Sequence, residues 1–171
     1  VDFVDFWPVQ GLRGTASFSF EVDDHFVPEN RTYDPAGPMR EDGSVYGIPT
    51  TLLFASGFST VALGIAKASL GTAMKLAESK VPGRASRLLR DESTTQRIIG
   101  EAEAVWHSAK AFLREAHASV WDSAVSKTPL TTEQRVKLRL AATFGIQKAK
   151  EVVETAYTLC GSSAILDTNP I

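Results

Sequence analysis

The stretch DESTTQRIIGEAEAVWHSAKAFLREAHASVWDSAVS, residues 91–126, decides the fold. Its apolar residues Ile98, Ala102, Val105, Ala109, Phe112, Ala116 and Val120 recur every three or four positions, the spacing of one helix face. Asp91 or Ser93 stands where an N-cap belongs. The pattern predicts a helix from about Asp91 to Ser126.

Upstream, Pro82-Gly83 closes another helical stretch, from about Thr51 to Ser79. Its Ala55, Ser56, Gly57, Ala62, Gly64, Ala66, Ala68 and Gly71 would let a second helix come close. Downstream, Thr128-Pro129-Leu130 is a turn, and Thr131-Thr132-Glu133-Gln134 reads as a capping box with Thr131 as N-cap. A third helix then runs to about Leu159, with Gly161 at its C-terminal end. Helices of roughly 28 to 35 residues are about 40–50 Å long. Short connectors make neighbours antiparallel, so residues 50–171 are predicted to form a mostly α, up-down helix bundle. A fourth helix is expected to begin near Asp167 or Thr168. The chain lacks an initiator Met and stops at Asn169-Pro170-Ile171, which reads as a truncated or processed piece.

Residues 1–49 have a different texture. Ser17 to Val22 alternates polar and apolar residues, as a half-buried strand does, and Pro28 ends that run. Gly11 to Gly14 and Asp23-Asp24 read as turns, and Asp34 to Gly47 as a loop or linker. We read this part as a short β remnant ahead of the helical domain.

Composition narrows the function class. The chain of 171 residues is 43% apolar and 22% charged, with net charge −2, so nothing favours a nucleic acid or an anionic membrane as partner. Its lone Cys160 excludes an internal disulfide and fits a reducing, cytoplasmic setting. The weakly charged run Ile48 to Ala66 is rich in Thr, Ser and Gly, and is read as a buried helix rather than a membrane span. No signal peptide is visible.

Few residues invite chemistry. His25, His107 and His117 are far apart; the last two occupy different faces of one helix, so no metal site is expected. Asp23-Asp24 and Asp91-Glu92 are accounted for by a turn and a helix start. Neither a phosphate-binding glycine loop nor a nucleophile signature is present. The best anion candidates are Lys80, Arg84, Arg87, Arg90 and Arg97, gathered around a helix start where guanidinium and backbone amides suit phosphate.

Trp7-Pro8-Val9-Gln10-Gly11-Leu12-Arg13-Gly14-Thr15-Ala16-Ser17, followed by Phe20-Glu21-Val22 and Phe26-Val27-Pro28-Glu29, resembles the end of the middle β-domain of acyl-CoA dehydrogenases. Ser69-Leu70-Gly71-Thr72-Ala73 resembles that family's first C-terminal helix, and Tyr157 to Ser163 resembles its Q-x-x-G-G-x-G turn. The resemblance implies a flavoprotein oxidoreductase using FAD (or FMN), a homo-oligomer (dimer or tetramer), and an acyl-CoA or other small-molecule substrate. Carried onto this chain, it implies flavin-phosphate contacts at Lys80, Arg84, Arg87 and Gln96. It puts Thr158 and Gly161 near the adenine half, and Arg13, Thr15 and Ser17 near the flavin or substrate.

The sequence departs from the dehydrogenase pattern. Where the family has R-x-x-F-G, it reads Ser79-Lys80-Val81-Pro82-Gly83-Arg84; Thr158 replaces the Gln and Ser162 the second Gly of the later turn. No carboxylate lies between Thr50 and Ala77, and the place some members use for the base falls at about Val61. No catalytic residue is therefore assigned. The leading expectation is a piece of an acyl-CoA dehydrogenase that desaturates a thioester. The alternatives are a two-component flavin-dependent monooxygenase of the same fold, which the departures resemble, and a non-catalytic helical oligomerisation module.

Overall fold

The computed structural model describes residues 2–4, 7–34, 37, 41–83, 85–166, 168–169 and 171. It divides into two compact units, Val1–Arg40 and Glu41–Ile171.

In the first unit, strand β1 (Asp2–Phe3) pairs antiparallel with β2 (Phe20–Glu21), with Asp2 opposite Glu21 and Phe3 opposite Phe20. The expected strand Ser17–Val22 is thus shortened to two residues of its second half: a ladder extends only as far as its partner does. Phe3 and Phe18 meet edge to face with ring centroids 5.8 Å apart. The Gly11–Gly14 run does turn. The Trp7 indole donates to the Leu12 carbonyl, and the turn continues into a 3-10 stretch, Arg13–Thr15.

The second unit is three long helices. The first, α1 (Thr50–Ala77), buries Leu52, Ser59, Ala66 and Ala73, interleaved with Ser56, Leu63, Leu70 and Ala77. Those are two sevenfold repeats, and alternating steps of three and four keep one seam facing its neighbours. The third, α3 (Thr132–Cys160), buries Leu138, Ala142, Gly145, Ala149, Val152 and Ala156 on the same spacing. Between them in sequence lies α2 (Ser93–Val125).

Cross-contacts give the directions. Ser59 lies against Gly145, and Lys80 reaches Cys160, so α1 and α3 run parallel. Trp106 donates to Leu63 O and Lys67 bonds Glu103, so α2 is antiparallel to α1. Phe112 meets Phe144, and Lys137 pairs with Glu115, so α2 is antiparallel to α3 as well. The predicted up-down bundle is therefore the observed one. Alanine dominates the seams, which lets the helices approach closely. Where α3 carries Gly145, an added Cβ would lie 2.3 Å from Ser59 Oγ.

Two details differ from the sequence reading. Neither Asp91 nor Ser93 caps α2: the N-cap is Glu92, with no side-chain cap bond, because a 3-10 turn, Leu89–Asp91, delays the helix start. On α2 the buried large residues are Trp106 and Leu113, while Ile98, Val105 and Phe112 are only partly buried. At α3 the capping box forms as expected, with Gln134 N–H donating to Thr131 Oγ1 and the Gln134 side chain accepting from Thr131 N–H.

By length and composition α1 is apolar enough to cross a membrane. Its inward seam is packed in the bundle, and its outer face leaves Phe54, Phe58, Val61 and Ile65 exposed.

Candidate functional site

Three of the expected cofactor residues, Lys80, Thr158 and Gly161, lie where α1 and α3 end side by side. Beyond α1, Lys80 N–H bonds Leu76 O and closes the helix, while Lys80 O accepts from Leu89 N–H at 2.8 Å and closes the loop that follows. Its side chain turns the other way. Lys80 Nζ donates to Cys160 O at 2.7 Å and to Ser163 Oγ at 3.0 Å. A cation thereby sits on a carbonyl left without an intrahelical partner at the C-terminus of α3, where the helix dipole favours it.

Gly161 makes that turn possible. It sits at φ 54°, ψ −142°, a conformation that side-chain-bearing residues avoid, and its N–H bonds Thr158 O. The chain then continues as a 3-10 stretch, Gly161–Ile165, tied further by Asn169 Nδ2 donating to Ser163 O. Beneath it Cys160 packs with Ala73, Ala156 and Ala164. Burial pushes the Cys160 thiol pKa up, and the nearby Lys80 charge only partly offsets this.

The structure thus brings Lys80 and Gly161 together. Thr158 is exposed on the last turn of α3, its hydroxyl donating to Glu154 O. Arg87 is exposed, and Gln96 Nε2 donates to Arg90 O at 3.0 Å, bracing the start of α2. The expected contact at Arg84 lies outside the described residues. Arg87, Arg90 and the first turn of α2, whose amides lack a side-chain cap, present donors of the kind a phosphate needs. In the other unit, Arg13, Thr15 and Ser17 share one turn. Arg13 Nε donates to Val9 O, Thr15 Oγ1 donates to Leu12 O, and the Thr15 and Ser17 hydroxyls are 3.4 Å apart.

Sequence reasoning missed a second feature, the groove between α1 and α2. Two adjoining hollows of about 360 and 430 Å³ share Arg114 and His117 as lining residues. One has Leu53, Ser56, Trp121 and Leu138 in its walls; the other has Thr60, Leu63, Gly64 and Trp106. The Ser56 hydroxyl is buried without a hydrogen-bond partner among the described residues. Burial lowers the pKa of His117 and keeps the imidazole neutral to lower pH. No sequence signal marks this groove, since it exists only once the two helices lie side by side. Among the described residues, no group of His, Cys, Asp and Glu could hold a metal ion.

The C-terminal domain of acyl-CoA dehydrogenases matches residues 56–171. An indole-3-acetate monooxygenase of Pseudomonas putida is 29% identical over 165 residues, covering 96% of this chain and 42% of that protein. A pigment production hydroxylase of Rhodococcus erythropolis is 26% identical over 175 residues, covering 98% of this chain and 44% of that one. The crystal structure of 3-HSA hydroxylase from Rhodococcus sp. RHA1 aligns with 99% of this chain and 46% of its own, with TM-score 0.83 at 22% identity, a likeness of fold. The chain spans less than half the length of the curated relatives it matches.

Proposed function

We propose, for a chain that belongs to the acyl-CoA dehydrogenase family through its C-terminal domain, that the protein is part of a flavin-dependent monooxygenase acting on a small aromatic substrate. One observation carries this reading: the relatives similar to it along nearly its whole length are a monooxygenase and a hydroxylase. The residues support it. Thioester desaturation needs a carboxylate within reach of the α-proton. Here α1 has no Asp or Glu from Thr50 to Ala77; the resemblance puts at about Val61 the base that some family members carry on this helix, while most carry it beyond the segment that this chain covers.

Bound reduced flavin, as FAD or FMN, would supply the two electrons with which one atom of dioxygen enters the substrate and the other leaves as water. The chain's part is to hold and orient. Arg87 and the uncapped first turn of α2 would hold phosphate, and the Gly161 turn, with Thr158 beside it, would shape the adenine end. Arg13, Thr15 and Ser17 are proposed to approach the flavin or substrate. A dimer or tetramer is proposed with it; burial of part of the apolar outer face of α1, Phe54 to Ile65, would favour assembly.

The test uses full-length protein supplied with reduced flavin, oxygen and indole-3-acetate. Substrate-dependent oxygen uptake and a hydroxylated product are expected. Reduction of an artificial electron acceptor driven by acyl-CoA, with no aromatic hydroxylation, would overturn the reading in favour of dehydrogenation.

A further inference from the structure

Family resemblance placed Lys80 among the phosphate ligands, but its ammonium is already engaged. Two of its three protons are directed at Cys160 O and Ser163 Oγ, 2.7 and 3.0 Å away. These partners lie 80 and 83 residues along the chain, so the contact joins the end of α1 to the end of α3. Gly161 lies directly beneath: a Cβ built on it would be 3.6 Å from Lys80 Nζ. The turn held this way is an otherwise weak point. It leaves α3 through a glycine at positive φ, and Cys160 O, Ser163 Oγ and Ser163 O are all engaged by side chains, those of Lys80 and Asn169.

We propose that Lys80 is a positioning residue. It fixes the Cys160–Ser163 turn against α1 and acts on the flavin site through that turn, without contacting phosphate. The inference rests on the flavin reading above for its functional half and on the observed contacts alone for its structural half. Because the backbone of Lys80 separately ties the loop carrying Arg87, through Leu89 N–H to Lys80 O, side-chain removal should loosen the turn and leave that loop closed.

The structural half is tested on this chain by amide hydrogen exchange of wild type and Lys80→Met. A hydrogen bond from a charged group stabilises by an amount that corresponds to roughly 10-fold or more in local opening. Exchange at residues 161–165 should accelerate by about that factor, with the core of α2 unchanged. Unchanged exchange at 161–165 would overturn the proposal. Should Lys80→Met fail to fold, Ser163→Ala removes only the 3.0 Å contact and should give a smaller acceleration at the same amides.

The functional half is read in full-length protein by titration with FAD and with FMN, which lacks the adenine half. Acting through the turn at the adenine end, Lys80→Met should weaken FAD and leave FMN unchanged, Lys80→Arg should recover part of the loss, and Ser163→Ala, which keeps the ammonium, should weaken FAD in the same direction. An equal loss with FMN, or a loss of FAD that Ser163→Ala does not share, would overturn the proposal and return Lys80 to the phosphate. Wild-type protein that binds neither flavin would overturn the flavin reading and Lys80's role in it, while the exchange experiment would still decide whether the turn is held as described.

Discussion

Replacing Gly145 by alanine in the middle of α3 sets two effects of known size against each other. An alanine in a helix interior is favoured over glycine by about 1 kcal/mol. At this position, however, the added Cβ would lie 2.3 Å from Ser59 Oγ, where α1 and α3 pack closely. Ser59 is fully buried, so its hydroxyl has no open space to swing into. The alternative is to part the helices by about 1 Å, which forfeits a quarter to a half of each dispersion contact along the seam. Overpacking of this kind costs about 1–3 kcal/mol.

We expect Gly145→Ala to destabilise the chain by up to about 2 kcal/mol despite its helix propensity, lowering Tm by up to roughly 4–8 °C for a chain of this size. The partner variant identifies the cause. Ser59 Cβ would be 3.7 Å from the new methyl, an ordinary contact, and the Ser59 hydroxyl has no hydrogen-bond partner among the described residues. Ser59→Ala therefore removes the clash together with an unsatisfied polar group, so the double variant should be at least as stable as wild type. Urea unfolding followed by circular dichroism measures all four corners of the cycle, with a coupling of about 1–3 kcal/mol expected. A single Gly145→Ala variant stabilised by about 1 kcal/mol, as at an uncrowded helix position, would refute the close approach. A double variant as unstable as Gly145→Ala alone would refute Ser59 as its cause.

Two further predictions concern stability. Thr131→Ala removes half of a capping box and should cost about 1 kcal/mol, read as a lower urea midpoint at constant slope; loss of the neighbouring Gln134 contacts to Ser119 and Ser123 would add to it. Burial holds the folded-state pKa of His117 below its ordinary 6.5, so as pH falls the unfolded chain takes up this proton first. This contribution is present above about pH 6.5, is lost as pH drops from there to the folded-state value, and is flat below it. Unfolding of wild type and His117→Gln between pH 7.5 and 5 should show the shallower pH dependence in the variant, and parallel curves would remove His117 from the account.

Much of the bundle was legible because its signals are local. Pro82-Gly83, the Thr131–Gln134 capping box and Gly161 each act within a few residues, so the helix ends could be read to within a residue or two. The face of α2 was legible only as a period. Spacing identifies a stripe but does not say which edge turns inward, so Trp106 and Leu113 took the deep positions over Val105 and Phe112. The β remnant was over-read because alternation marks a strand without showing how far its partner extends. The candidate site was the least legible part. The family resemblance reads Lys80, Arg87 and Gln96 alike as phosphate contacts, and no local signal shows that Gln96 braces Arg90 O or that the Lys80 ammonium meets Cys160 O and Ser163 Oγ.

What the sequence alone determined is the set of parts: three long helices, their ends, and a small-residue seam suited to close packing. These follow from propensity, capping and periodicity, which operate over one or two helical turns. Only the tertiary structure decided that Ser59 meets Gly145, that α1 and α2 leave a groove around His117, and that Lys80 closes over Cys160. Those contacts join residues tens of positions apart, and they form only when the helices have settled in register.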